Sequence, residues 1–462
     1  LVNYAEVIGG EEVTCGDFSC AVPLDYWVVS DGSVTFSSGA ILSVDTKMYQ
    51  NNIIVSGTVY KFTYEITDNT GGMALRFYDG AAYTYVDDSV GVHTVYFTGA
   101  GTNPRFYVST LSGTSLTLKN VSVKEVTRDN VPRIDYTGGG CPHILAEPMR
   151  TNLIPYSEDL TEWNKGHLTI ASNDIISPDG TQNADTLDVP DTNDFIYEGA
   201  TTIASTEYVF SFYVKRGTIA ESALKLAVYD DTANAFIVSD ISYSASDSEW
   251  TRVTQSFTTP VGCILIRAYA FRNSSSTLGT FSVWGAQLEE GSYATSYIPN
   301  FGTAAGVTRN QDIFTRDGIG SLINSEEGVL FVEMAALIDG GNFELISLSD
   351  GSNVNRCSIL FNGGNLTAAY RVSNSNVFLH IEAADLLNFN KVAISYKQSQ
   401  FKMFVNGFNV FEQLSGNVLP SNTFNKLSFD SGDGANPFYG KVKQLQVYDT
   451  ALSPTQLAAL TS

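Results

Sequence analysis

The sequence is short of charge and of histidine, and it has no long apolar run. Charged residues make up 16% of its 462 positions, against about 25% in an ordinary globular domain. Ser, Thr, Asn and Gly fill the difference. No stretch reaches the length of apolar residues that a membrane-spanning helix needs, so no membrane insertion is expected. Four scattered histidines, His93, His143, His167 and His380, offer no histidine-built centre. The five cysteines are Cys15, Cys20, Cys141, Cys263 and Cys357. They form no CxxC pair, which argues against a zinc site. Reduced, mostly buried thiols are the reading, with a Cys15–Cys20 bridge across a small loop as the alternative. Bases are scarce too, 26 against 49 acids, for a net charge of −23. Such a chain repels phosphate backbones and anionic lipid, so nucleic acid and membrane surfaces are not expected partners. Neutral glycans and calcium remain compatible. No signal peptide is visible, and the chain opens on Leu1, as a fragment or processed product would.

What is present is alternation. "YKFTYEITD" from Tyr60, "RFYVST" from Arg105 and "LTLKNVSVKEV" from Leu116 place apolar residues at every second position, the period of a half-buried strand. No segment before the C-terminus has a helical repeat. Length alone suggests about three domains, and the chain repeats itself. "YKFTYEITDNTGGMALRFYDG" matches "YVFSFYVKRGTIAESALKLAVYDD" about 150 residues on. "GVHTVYFTG" then matches "WTRVTQSFTTP", and "PRFYVSTLSGTSLTLKNVSVKEV" matches "ILIRAYAFRNSSSTLGTFSVWGAQLEEG". Two copies of one antiparallel sandwich explain this. A third unit of alternating strands follows. It ends in "ALSPTQLAALTS", where Ser453 is a fair N-cap and Pro454 suits the first turn of a short helix. The reading is all-β: a sandwich over 1–127, a linker over 128–150, a second sandwich over 151–307 and a third over 308–462.

Catalytic motifs are weak. "TGGGCPHILAEP" lacks the Lys-Ser/Thr of a phosphate loop. Cys141 and His143 sit two residues apart, but a joint between domains explains the stretch better. It is extended because Pro148 and Pro155 restrict their predecessors. "VEMAALID" offers only Glu333, with Asp339 six residues on, not the paired carboxylates of glycoside hydrolysis. No enzyme is read here; a polysaccharide depolymerase with carboxylates from separate strands is an alternative. For binding, Tyr83 and Tyr85 in "DGAAYTYVDD" are candidate exposed platforms at a loop tip. Trp163 and Trp250 are weaker candidates: Trp163 holds the place of Trp27 in the other copy, which favours packing, and Trp250 follows the acidic turn "SDSEW", where a structural role is again favoured. No cofactor is required. Calcium is the one metal considered, at Asp430 and Asp433 in "SFDSGDGANPFYG" or at Asp188 and Asp191 in "NADTLDVPDTNDFIYEG". A solvated acidic face is the blander reading of the second run.

Three resemblances sharpen this. The acidic loop, Trp and Gly turn that open both repeats resemble jelly-roll carbohydrate-binding modules. The "VAISY…FKMFVNG" pair and the "VYDTALSPTQLAAL" ending resemble the concanavalin A-like, laminin-G-like lectin fold, although Lys443 and Gln444 stand where that family has an acidic pair. "PRIDYTGGGCPHILAEPMRTNLIPYSEDLTEW" and "GSYATSYIPNFGTAAGVTRNQD" resemble strings that open and close such a sandwich in bacteriophage tail-fibre and other phage structural proteins. That resemblance implies a virion surface protein, commonly a homo-trimer, that contacts host surface glycans and other virion proteins. A purely structural capsid or tail decoration protein is the other alternative.

Overall fold

The computed structural model describes residues 7–69, 72–100, 103, 105–111, 115–127, 133–136, 142–191, 193–272, 278–339 and 342–462. Gly138–Gly140 and Cys141 lie outside them, so the bend and the thiol read into that stretch do too. The chain divides into two compact units, Glu6–Val131 and Pro132–Ser462. The fold is all-β. Among the described residues the one α-helix is Pro454–Thr461, capped by Ser453 and Gln456 in a reciprocal box with Pro454 opening the first turn.

Alternation does the work predicted of it. Along Val59–Asp68, Tyr60, Phe62, Tyr64 and Ile66 are buried while their neighbours face outward. The N-terminal unit is a two-sheet sandwich. One sheet runs Val34–Phe36, Ala40–Leu42, Leu116–Thr127, Val59–Asp68, Gly91–Thr98, with Val7–Glu11 also paired to Leu116–Thr127. The other runs Val28–Asp31, Lys47–Gln50, Phe106–Leu111, Ala74–Tyr78, Tyr83–Val86.

The second repeat reproduces both sheets in the same strand order, apart from Val7–Glu11. One runs Thr169–Ile176, Gln182–Val189, Gly279–Glu290, Glu207–Arg216, Thr251–Thr258. Its partner runs Asn164–Lys165, Phe195–Thr201, Leu265–Arg272, Lys225–Asp230, Ala235–Ser242. Small fixtures repeat as well. Val55 N–H donates to the Tyr60 hydroxyl at 3.0 Å, and Ile203 N–H to the Tyr208 hydroxyl at 2.9 Å. Trp27 Nε1 donates to the Cys15 carbonyl at 3.1 Å, and Trp163 Nε1 to the Tyr156 carbonyl at 3.0 Å. Cys15 and Tyr156 both sit at positive φ, 55° and 51°.

The third sandwich packs a seven-stranded sheet on a six-stranded one. The turn read from "VNG" joins Gln400–Val405 to Phe408–Gln413. Asn406 and Gly407 both have positive φ there, as a two-residue hairpin turn of this hand requires.

The stretch read as a linker, 128–150, is built differently. Arg133–Asp135 and His143–Ala146 form a hairpin, and His143–Ala146 pairs with Gly440–Tyr448 at the edge of the seven-stranded sheet. An extended segment with open backbone donors meets a sheet edge with the same need, so both are satisfied by pairing. One thiol reading also changes. Cys15 and Cys20 form a disulfide with a Cα–Cα distance of 5.9 Å, while Cys263 and Cys357 are free and buried.

Candidate functional site

The strands that fill the N-terminal core on one side present tyrosines on the other. In Ala74–Tyr78, Leu75 and Phe77 turn inward, so Arg76 and Tyr78 face out. The pairing register does the rest. Tyr49 lies opposite Tyr107, Tyr107 opposite Tyr78, and Tyr78 opposite Tyr83. Four neighbouring strands thus contribute one tyrosine each to a single row. Ring centroids are 4.7 Å apart for Tyr49–Tyr107, 5.4 Å for Tyr78–Tyr107 and 5.0 Å for Tyr78–Tyr83. All four rings are half-buried by one another. The Arg105 guanidinium lies 4.8 Å from the Tyr49 ring centre at one end. Arg76 lies 4.3 Å from that of Tyr83 at the other. Cation–π contact holds each arginine along the platform.

Tyr83 and Tyr85 are therefore strand residues of this face, not a loop tip. Tyr83 closes the row, and Tyr85, opposite Arg76, is 63% exposed beside it. Tyr49, Tyr78 and Tyr107 were missed by the sequence reading. Their signal is a tyrosine at an outward position in each of "KMYQ", "ALRFY" and "FYVSTL"; only the register reveals that these meet.

The second repeat carries a related face. Tyr197 lies opposite Tyr269 with centroids 4.8 Å apart. By the shared Tyr-Asp ending Tyr229 corresponds to Tyr78; it lies opposite Arg267, and Arg267 opposite Gly199, where Tyr78 lies opposite Tyr107 and Tyr107 opposite Tyr49. Arg267 lies over Tyr197 and Tyr229, at 5.2 and 5.5 Å, and pairs with Asp231 at 2.5 Å. Arg272 lies 4.7 Å from the Phe236 ring centre and meets both carboxylate oxygens of Asp240 at 2.5 and 2.6 Å.

Other predicted positions are occupied by structural duties. Trp163 is buried in the second core, 3% exposed, with its indole N–H used on Tyr156, so no face remains for a ligand. Trp250 is half-buried; its indole N–H is spent on the Ile176 carbonyl at 3.0 Å and its ring packs against the cluster of Ala184, Trp284 and Tyr297. Asp430 is buried, and its Oδ1 accepts from Ser428 Oγ, Gly432 N–H and Gly434 N–H. Asp433 accepts from Ser431 Oγ and Ala435 N–H, which hold its carboxyl below the usual range. These carboxylates brace a turn. Asp188 and Asp191 are exposed. Among the described residues no three acids, histidines or cysteines converge as calcium would require.

The stretches 132–163 and 291–312 meet within the larger unit. Glu147, from the first, takes Arg133 at 3.1 Å and Arg309 at 3.0 Å. Asp312, from the second, pairs with Arg133 and accepts the Glu147 N–H at 2.7 Å. All four side chains are buried. Arg150–Asn152 pairs with Val307–Arg309 beside them. Gly306, with φ of 86°, passes so close that a Cβ would lie 2.7 Å from Thr151 Cγ2. Within the 132–462 unit the stretch is locked by two cations and two anions. His143 belongs to it structurally: it lies 3.2 Å from Asp135 in the same hairpin, buried.

Two further features stand out. A cleft of about 400 Å³ on the second sandwich is lined by Arg252, Thr254, Gln255, Ser256, Ser292 and Tyr293. Glu344 has its carboxyl pushed up to about 7 by burial.

Residues 329–458 match the family model described as the concanavalin A-like lectin/glucanases superfamily. No curated protein matches the sequence. Among solved structures, the chain is similar to domain 4 of AbnA, a GH43 extracellular arabinanase from Geobacillus stearothermophilus, solved with arabinotriose. Identity is 15%, over 35% of this chain and 84% of that one, with a TM-score of 0.26. It is similar also to the native heptameric SAP-like pentraxin of Limulus polyphemus, at 14% identity over 30% and 71%, TM-score 0.24. The N-terminal CBM22-1–CBM22-2 tandem domain of a Paenibacillus barcinonensis protein aligns at 9% identity over 62% and 98%, TM-score 0.24.

Proposed function

We propose that this chain is a non-catalytic glycan-binding protein of a bacteriophage virion surface, acting outside the cell as a homo-trimer. The observation that carries the glycan reading is the row Tyr49–Tyr107–Tyr78–Tyr83, half-exposed along one sheet face. A sugar's C–H face stacks on such rings, and the flanking guanidiniums donate to its hydroxyls. The virion placement rests on the two joint strings, whose resemblance is to phage structural proteins. The Cys15–Cys20 bridge fits a protein that works in an oxidising setting.

Glycan arrays probed with the full chain and with Tyr107→Ala test this. Binding that Tyr107→Ala removes, with no new reducing ends, is the expected result; binding indifferent to Tyr107 sinks the reading. Antibody labelling of virions in electron micrographs tests the location, and light scattering tests the trimer. The depolymerase reading has one observation in its favour. Burial pushes the Glu344 carboxyl up to about 7, so that a share of it is protonated at neutral pH, as a general acid requires. Release of reducing ends that stops in Glu344→Gln would favour it.

A further inference from the structure

The tyrosine row carries a charge that the rest of the chain does not foretell. The chain's net charge is −23, yet three cations, Lys47, Arg76 and Arg105, surround this face. Lys47 is matched by Asp31 at 2.9 Å. Among the described residues, neither Arg76 nor Arg105 has a carboxylate partner. Arg76 Nε donates to the Ser109 hydroxyl at 3.3 Å. Arg105 donates to Asn51 Oδ1 at 3.0 Å and to the Tyr107 hydroxyl at 3.1 Å. All three acceptors are neutral. A guanidinium has five N–H donors, so most of those on both arginines stay open to a ligand.

Their placement matters as much as their charge. Arg105 lies over Tyr49 and Arg76 over Tyr83, the two ends of the row. The row crosses three strand spacings of about 4.8 Å, about 14 Å in all, the scale of a short oligosaccharide. A chain lying along it meets a guanidinium at each end and aromatic faces between. In the second repeat each arginine of the face already holds an aspartate, so the excess charge belongs to the N-terminal face. Guanidiniums bind carboxylate and sulfate through paired, charge-assisted hydrogen bonds.

Building on the glycan reading above, we infer that the N-terminal face selects an acidic polysaccharide. Its sugar rings stack on Tyr49, Tyr107 and Tyr78, and its carboxylates or sulfates are held by Arg76 and Arg105. The whole-chain charge, which pointed toward neutral glycans, is overruled here by a local field of opposite sign.

The test is a panel of acidic polymers, polygalacturonate, alginate, hyaluronan and chondroitin sulfate, each beside its esterified or desulfated form. Affinity electrophoresis compares the full chain, an Arg76→Gln/Arg105→Gln double variant and Tyr107→Ala. The wild type is expected to bind at least one acidic polymer at least about tenfold tighter than its neutralised form. The double variant loses that preference and binds paired forms alike, while an unchanged melting transition of the N-terminal unit shows that it is folded. Tyr107→Ala weakens both. Equal affinity for paired forms, no acidic polymer bound, or a preference that survives in the double variant each overturns the inference. Single-stranded DNA competing as well as the best polysaccharide overturns it too, in favour of a nucleic-acid ligand. If Tyr107→Ala leaves every affinity unchanged, the glycan face itself is wrong, a separate failure.

Discussion

The two repeats share ten strands in one order yet solve the same problems by different chemistry. In the first, the opening loop is tied by a disulfide and by a neutral amide: Gln50 Oε1 accepts from Thr14 N–H and its Nε2 donates to the Thr14 carbonyl. In the second, a carboxylate holds the loop. Asp185 accepts from Leu160 N–H at 2.8 Å and from Asn173 N–H at 2.9 Å. The second repeat also ends in a locked charge cluster. On the outer faces the contrast runs the other way: the first repeat leaves its arginines open and the second neutralises them. Topology came from the shared alternation, and these residue choices were free to diverge because none of them sets the strand order.

The largest break in this comparison is expected at the charge cluster. Glu147→Ala leaves Arg133 and Arg309 buried without their shared partner, and removing one member of a buried ionic group costs about 3–5 kcal/mol. Calorimetry should show the transition of the 132–462 unit falling while that of the N-terminal unit stays in place. A Glu147→Ala protein as stable as wild type would mean that the joint is held by packing alone.

A pH dependence comes next. Burial outweighs the two N–H donors and raises the Asp185 carboxyl to about 6. A carboxyl raised on folding stabilises the fold below its ordinary value near 4, and that contribution is lost as pH rises through about 6. The shift of roughly two units corresponds to about 3 kcal/mol. Thermal scans of the larger unit between pH 4 and 7 should therefore show a downward contribution that is missing in Asp185→Asn. The loop held by Gln50 has no such proton to lose. Identical pH slopes for wild type and Asp185→Asn would remove this distinction between the repeats. The disulfide is worth less. It closes only a five-residue separation, and Cys15→Ser/Cys20→Ser should lower the N-terminal unit's stability by about 2 kcal/mol, read as a shift in its urea midpoint.

These differences mark where sequence reading stops. Alternation gave the strands, and the paired strings gave the repeat and its matching order. The row of tyrosines was only a quarter legible. Tyr83 was singled out for its loop-like "DGAAYTYVDD" neighbourhood, whereas Tyr49, Tyr78 and Tyr107 lie far apart in the chain and meet only through register. Trp163 and Trp250 were drawn in as aromatics. Nothing in a sequence says that an indole N–H will be used on a carbonyl and its ring covered. The "linker" hid two strands because Arg133–Asp135 finds its partner eight residues away and His143–Ala146 finds its own some 300 residues later.

The smallest expected effect is the sharpest test of the contrast between faces. Asp231 and Asp240 neutralise Arg267 and Arg272 in partly exposed pairs, where little stability is at stake. Asp231→Asn/Asp240→Asn should leave the melting of the larger unit nearly unchanged while freeing two guanidiniums beside Tyr197 and Tyr269. The second repeat would then carry the same kind of open arginine as the first. The gain should be partial, because Arg267 and Gly199 occupy the places that Tyr107 and Tyr49 fill in the N-terminal row. In a background carrying Arg76→Gln/Arg105→Gln, an increase in acidic-polymer affinity of about two- to fivefold, shrinking as salt is added, is the expected reading. No gain would mean that open charge is not what separates the faces, and that the continuous tyrosine row decides instead.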